Sequence, residues 1–276
     1  MKRLLIAGCG DLGIRLSRRL SSQKWSVHGL RRNPQALPTP IQAVRADLLD
    51  PDSLSEIPQH WDAIVYQATP DQRTPAGYRN AYVRGLENLS LQCRAHRLIF
   101  VSSTAVFGQA RGEWVDERSP TRPDAFSGQI LLEAEALAAR AGGMAVRFSG
   151  IYGPGRDFLI RSIRSGRAQC RAEPPQWTNR IHSEDCAGVL AHLLELENPE
   201  KVYCASDSRP APRCEVLDWL AGQLDLPHPV REIEDRDDNG EEADQGKRVC
   251  NRQLLESGFT FQYPDYITGY RELLTS

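Results

Sequence analysis

A short apolar run that ends directly on three spaced glycines constrains this chain more than any other feature. Lys2 to Ala7 reads as a strand, Gly8-Cys9-Gly10-Asp11-Leu12-Gly13 as a turn, and Ile14 to Leu20 carries helical apolar spacing. In such a turn Gly8 permits the sharp bend, Gly10 lets the backbone approach a pyrophosphate, and Gly13 lets the helix pack closely on the strand. The helix start, with Asp11 and Leu12 in its first turn, offers free N–H groups and the positive end of the helix dipole to phosphate. Strand, turn and helix together predict a dinucleotide site.

The second strand, Ser26 to Leu30, ends where an NAD site places Asp or Glu against the ribose 2′-hydroxyl, about 20 residues beyond the glycine turn. Here the chain reads Arg31-Arg32. A guanidinium there can pair with a 2′-phosphate through charge-assisted, bidentate hydrogen bonds, which favours NADP over NAD. The plainer alternative is a solvated basic strand end, since 30 of the 34 basic residues are arginine. A third strand, Gln42 to Arg45, leads to Asp47-Leu48, and a fourth, beginning at Asp62, ends at Ala68 before Thr69-Pro70. These ends join the predicted cofactor contacts, and the Thr69-Pro70 loop either closes on the cofactor or is a proline turn. A fifth strand, Arg97 to Val101, delivers Ser102, Ser103 and Thr104 to the same edge. Strands alternating with helical stretches predict an α/β fold, a Rossmann-type doubly wound parallel sheet with a smaller C-terminal substrate lobe. Residues 1–155, with 183–206 returning to them, form the expected dinucleotide-binding domain; 156–182 and 207–276 form the expected lobe.

Net charge of -2 and a pI near 6.3 supply no basic face for nucleic acid. No apolar run approaches the roughly 20 residues that span a bilayer, so a cytoplasmic protein is expected, with no membrane partner. The seven cysteines show neither CxxC pairs nor a disulfide framework and read as reduced, mostly buried thiols; no metal-ligand spacing occurs. Glu232 to Asp244 holds eight acidic residues in thirteen positions and predicts a hydrated loop.

Four ordered stretches carry a wider resemblance: 98–108 (LIFVSSTAVFG), 120–135, 146–155 (VRFSGIYGPG) and 179–185 (NRIHSED). They resemble the successive signatures of extended short-chain dehydrogenases/reductases, in the atypical branch described as NAD(P)-dependent epimerase/dehydratase-like. The resemblance implies a small-molecule substrate with a reacting hydroxyl or carbonyl, such as a nucleotide sugar. It also implies a homodimer paired through the helices near 78–94 and 127–140. Catalysis in that family uses a Tyr, a Lys one helical turn later, and a Ser or Thr on the same oxygen.

Ser103 matches the family's Ser/Thr. Ser127 stands at the Tyr position and Leu131 at the Lys position, and no Tyr anywhere in the chain is followed four residues later by Lys. Tyr152, Tyr78, Tyr82 and His182 are the candidate replacements, with packing under the cofactor loop as the alternative for Tyr152. His182, just before a helix opening Ser183-Glu184-Asp185, reads as a cap, and Tyr82 as a packing residue. Arg156 and Arg180 are candidates for an anionic substrate group or for salt bridges. Two function classes follow: an NADP-using oxidoreductase or epimerase-like enzyme with an unorthodox acid/base, or a catalytically silent NADP-binding regulatory or redox-sensing protein.

Overall fold

The computed structural model describes residues 1–232 and 244–275. The chain runs through β1 (Lys2–Ala7), α1 (Asp11–Arg19), β2 (Trp25–Arg31), β3 (Gln42–Arg45), α2 (Pro51–Ser55), β4 (His60–Tyr66) and α3 (Pro75–Tyr78). A π-helical turn, Arg79–Arg84, leads into α4 (Gly85–Gln92), then β5 (Arg94–Ser103), β6 (Arg111–Val115), α5 (Phe126–Arg140), β7 (Met144–Phe148) and β8 (Gly150–Tyr152). Next come α6 (Phe158–Arg164), β9 (Gln169–Arg171), β10 (Trp177–Thr178), β11 (Arg180–His182), α7 (Ser183–Glu195) and β12 (Val202–Ala205). The described residues close with β13 (Ala211–Pro212), α8 (Arg213–Leu224), β14 (Val230–Glu232), β15 (Gly246–Val249), α9 (Arg252–Glu256) and α10 (Tyr266–Thr275). Between its ends, Glu232 and Asp244, the acidic segment lies outside the described residues.

Seven strands form one parallel sheet in the order β12-β7-β5-β4-β1-β2-β3. Alternation along β1 explains its two covered faces. Leu4 and Ile6 pack with Leu16 of α1 and Val189, Leu190 and Leu193 of α7. Leu5 and Ala7 pack with Leu86 and Leu89 of α4 and Ile130 and Ala134 of α5. Burial on both faces is why these strands read as near-continuous apolar runs. The expected doubly wound sheet is therefore present, with β12 returning to its edge after α7.

The smaller lobe packs α6, α8 and α10 around Ile160, Ile163, Leu217, Leu220, Tyr266 and Tyr270. Its four-stranded sheet, β13-β10-β15-β6, takes β6 from the stretch expected to belong to the first domain. That pairing joins Arg111–Val115 to Gly246–Val249, a separation that local periodicity does not register. One expectation is corrected outright: Cys170 of β9 and Cys214 of α8 form a disulfide, so not all seven cysteines are reduced thiols. Their separation of 44 residues carries no pair motif, and only the packing of β9 on α8 brings their Cα atoms to 5.4 Å. Cys9, Cys93, Cys186 and Cys204 are buried free thiols, and Cys250 is half-buried.

Two clusters of buried polar groups lie in the interior, one between β5, β7 and α5 and one around the separate β8–β11 pair. In the first, Arg147 of β7 donates to Glu135 of α5 at 2.8 and 3.0 Å, and Ser102 of β5 donates to the same carboxylate at 2.6 Å. All three residues are buried, so the charges have exchanged water for one another and removing either partner leaves an uncompensated ion. In the second, β8 and β11 pair with Tyr152 opposite His182 at the junction of the lobes. Arg180, Ser183 and Asp207 are buried beside them. Among the described residues, Arg180 Nη1, Tyr152 Oη, His182 Nε2, Ser183 Oγ and Asp207 Oδ2 find no hydrogen-bond partner. Burial raises the Asp207 carboxyl to about 7 against the pull of Arg180, and burial lowers the His182 imidazole to about 4.

Glu135→Gln and Arg147→Met should each lower the unfolding free energy by about 3–5 kcal/mol, read from urea midpoints; a loss under about 1 kcal/mol would show that the pair is solvated. Asp207 gives a pH-dependent expectation. The folded protein keeps its proton up to about pH 7, whereas the unfolded carboxyl releases it near the ordinary value of 3.8. Its contribution to stability is complete below the unfolded value and is lost as pH rises through 7. His182 works in the opposite direction, losing stability as pH falls from its ordinary 6.5 toward 4, but it is common to wild type and variant. Asp207→Asn should therefore gain on wild type between pH 5 and pH 8, and an equal difference at both pH values would refute the assignment.

Candidate functional site

The strand order reverses between β1 and β4, and a doubly wound sheet binds ligand at the carboxyl ends on either side of such a reversal. A cavity of about 550 Å³ opens there. Its lining includes Gly8, Gly10, Arg31, Arg32, Asp47, Leu48, Ala68 and Thr69, all predicted cofactor contacts. Asp11, Leu12 and Gly13 lie in the first turn of α1, the helix that leaves the glycine turn.

The geometry of the turn fits a dinucleotide. Gly8 has φ +78° and a Cβ there would stand 2.5 Å from Ala68 Cα, so the turn is pressed against the end of β4. Gly10, by contrast, faces open space: a Cβ would meet nothing closer than 3.9 Å, leaving its backbone approachable. At Gly13 a Cβ would stand 2.5 Å from Gln67 Nε2 and 2.9 Å from Ile6 Cγ2, which is the close packing of helix on strand. Asp11 in the first turn of α1 and Arg18 and Arg19 in the last complement the helix dipole. Burial raises the thiol of Cys9, inside the turn, to about 11 although Arg31 opposes it, so this sulfur is a neutral packing group.

Arg31 ends β2, half-buried, and among the described residues no carboxylate pairs with it. Arg32 instead donates to Asp71 through both terminal nitrogens, at 2.9 and 2.7 Å. Asp71 thereby carries the Thr69-Pro70 loop toward the end of β2. Sequence reasoning missed Asp71, for which the only signal is an acid just beyond a proline turn. It also missed the π-helical turn that supplies Asn80 and Ala81 to the cavity wall. Tyr66, at the end of β4, donates its hydroxyl to Ala81 O at 2.5 Å, and the helix widens there to receive it.

The candidate catalytic residues separate. Ser103 ends β5, and its Oγ accepts from Ala105 N at 3.2 Å, which leaves the hydroxyl proton for an acceptor at this edge. Ser127 is half-buried in the first turn of α5. That turn abuts the segment after Ser103, since a Cβ at Gly128 would stand 2.4 Å from Ala105 O. Leu131 is buried in the apolar layer. Tyr152 packs in the small-lobe core, 4.5 Å from the Tyr270 ring and 5.2 Å from the His182 ring, and burial pushes its phenol far up. His182 Nδ1 accepts from Glu184 N at 3.3 Å and so caps α7. Tyr82 packs edge-on against Tyr78 and Phe100.

The two predicted anion-binding arginines also separate. Arg156 Nε lies 3.7 Å from Asp11 Oδ2, beside the start of α1 and hence at the phosphate end of the cleft. Arg180 is buried, donates to Thr178 Oγ1, and stands 5.4 Å from the Tyr266 ring. Arg248 of β15 lies between the Trp114 and Trp177 rings at 5.1 and 4.8 Å.

Comparison with known proteins agrees with this geometry. The model of the NAD dependent epimerase/dehydratase family matches residues 4–204. Protein YeeZ of Escherichia coli K12 is 30% identical, the match covering 96% of this chain and 97% of that protein. A Methylobacillus flagellatus protein assigned to the NAD-dependent epimerase/dehydratases superposes with a TM-score of 0.82 at 38% identity, covering 99% of this chain and 98% of its own. The human epimerase family protein SDR39U1, solved with NADPH, shares the fold at TM-score 0.78 and 18% identity, over 99% of each chain. Among the described residues no helix is long and apolar enough to cross a membrane. A glycine turn at the sheet reversal, a strand-end cleft and a family match over the sheet lead to one conclusion: the chain belongs to the NAD-dependent epimerase/dehydratase family.

Proposed function

We propose that this protein is an NADP-dependent oxidoreductase or epimerase-like enzyme acting on the hydroxyl or carbonyl of a small substrate, of which nucleotide sugars are the leading class. The observation that carries the cofactor choice is Arg31. It stands at the end of β2 on the cavity wall, with no carboxylate paired to it among the described residues, where an NAD site needs an acceptor for the 2′-hydroxyl. Gly8, Gly10 and the start of α1 would hold the pyrophosphate, with Arg156 adding charge beside Asp11. Arg31 and Arg32 would hold the 2′-phosphate, and Asp47, Leu48, Ala68 and Thr69 would line the rest of the cofactor's path. The bound nicotinamide supplies two-electron redox chemistry. Ser103 presents its free hydroxyl proton to the substrate oxygen.

The usual Tyr and Lys are replaced by Ser127 and Leu131, and Tyr152 is buried with its phenol raised, so proton exchange falls to groups brought by the substrate or by water. A second reading, a redox-sensing NADP-binding protein without turnover, is favoured by one observation. Arg231 Nη1 donates to Cys170 Sγ at 2.7 Å, a cation placed to stabilise that sulfur as a thiolate when the Cys170–Cys214 bond is reduced.

Titrating the protein with NADPH and NADH, followed by tryptophan quenching, tests the cofactor reading. Arg31→Ala should weaken NADPH by about 10- to 100-fold and leave NADH within about two-fold; equal affinity of the wild type for both nucleotides would sink the NADP assignment. For the enzyme, a screen of nucleotide sugars with NADP(H) should find turnover that Ser103→Ala lowers by about 10²- to 10³-fold. No turnover, together with reduction of the disulfide changing NADPH affinity, would favour the sensor.

A further inference from the structure

The pair between Arg32 and Asp71 is placed oddly for a surface salt bridge. Arg32 follows β2 by one residue, Asp71 follows β4 by five, and β1 lies between those strands. A bond between the two loops therefore spans about 10 Å of sheet edge, two strand spacings. Beneath it β1 ends in the glycine turn, and both residues line the dinucleotide cavity. The guanidinium meets the carboxylate fork to fork at 2.9 and 2.7 Å, the same two-pronged geometry that it would offer a phosphate. Its neighbour Arg31 faces the same cavity with no such partner among the described residues. The side chains of the pair are 58% and 68% exposed, so it rearranges without unpacking the core. Asp71 and Asp47 both hold the Arg32 guanidinium in its charged form.

We propose that Asp71 is a built-in competitor for the cofactor's 2′-phosphate, and that the Arg32–Asp71 pair is a latch across the mouth of the cleft. NADP opens the latch, because its phosphate carries nearly twice the charge of a carboxylate and takes both arginines. NAD leaves it shut, having nothing to offer Arg32. Arg31 is then the standing recognition group and Arg32 the conditional one. Opening also frees the Thr69–Gln72 loop, so that loop senses which of the two nucleotides is bound. The latch rests on the NADP reading given above.

Asp71→Asn is the test, because an exposed isostere leaves folding intact. Removing the competitor should tighten NADPH by about 3- to 5-fold, the upper range of a surface ion pair, and change NADH by less than about two-fold. In an Arg32→Ala background the same substitution should change NADPH affinity by less than about two-fold. Tightening that persists without Arg32 would mean that Asp71 repels the phosphate directly, and no tightening, or equal shifts for both nucleotides, would mean that it does not compete; each overturns the latch. A wild type that prefers NADPH, with an indifferent Asp71→Asn, removes the latch alone. A wild type that binds neither nucleotide, or both equally, removes the NADP reading and the latch with it.

Discussion

Gly8 meets the backbone at the end of β4 so closely that a Cβ would stand 2.5 Å from Ala68 Cα. That contact sets the floor of the cleft. Because β1 and β4 are neighbours at the reversal of strand order, the loops leaving them must either diverge or interlock, and a positive φ at residue 8 lets them interlock. From there the chain turns through the open backbone of Gly10 into α1, whose close seat on β1 depends on the missing Cβ of Gly13. The positions of Arg31 and Arg32 follow in turn, since β2 pairs with β1 through Leu30 opposite Ala7. Moving Gly8 would move the whole wall.

The polar interior does different work on the two sides of the sheet. Behind Ser103, the Ser102–Glu135–Arg147 network ties β5, α5 and β7 together, so the turn carrying Ser103 is anchored by charge rather than by apolar packing alone. At the lobe junction the cluster of Tyr152, Arg180, His182, Ser183 and Asp207 is only partly satisfied. A partly satisfied network is costly where it is buried. The first network is therefore a fixed brace, whereas the second leaves several buried polar atoms without a partner among the described residues.

The sequence made the first half of the fold readable because its signals are local. Strand, glycine turn and helix sit within 2–20, and the cofactor wall consists of residues that end strands, which periodicity locates well. What stayed hidden depends on partners distant in sequence. β6 finds β15 from 131 residues away or more, the Cys170–Cys214 bond forms only because α8 packs on β9, and Asp71 becomes part of the site by reaching Arg32. Arg180, a candidate for an anionic substrate group or a salt bridge, is buried at the lobe junction because β11 pairs with β8, a pairing that local sequence does not register. His182, by contrast, was legible as a cap from the acidic first turn that follows it.

Leu131 is built into the packing and is not an exchangeable surface residue, whereas Ser127 is half-buried at the helix start. Leu131 is 4% exposed in the layer formed by Leu86, Phe100 and Ala134. A lysine amine there would have to leave water or pull the first turns of α5 off the sheet, and either costs more than a surface substitution. Gly128 seats the same turn closely, because a Cβ there would stand 2.4 Å from Ala105 O and 2.5 Å from Pro123 Cβ. The lysine that does reach this region arrives from the other lobe: Lys247 of β15 donates its amine to Phe107 O at 2.7 Å, and burial lowers its pKa. It fastens the end of the Ser103 segment through a backbone carbonyl, whereas the family lysine would act through a phenol one helical turn away. The amine that holds the loop after Ser103 thus comes from β15, in the sheet of the small lobe.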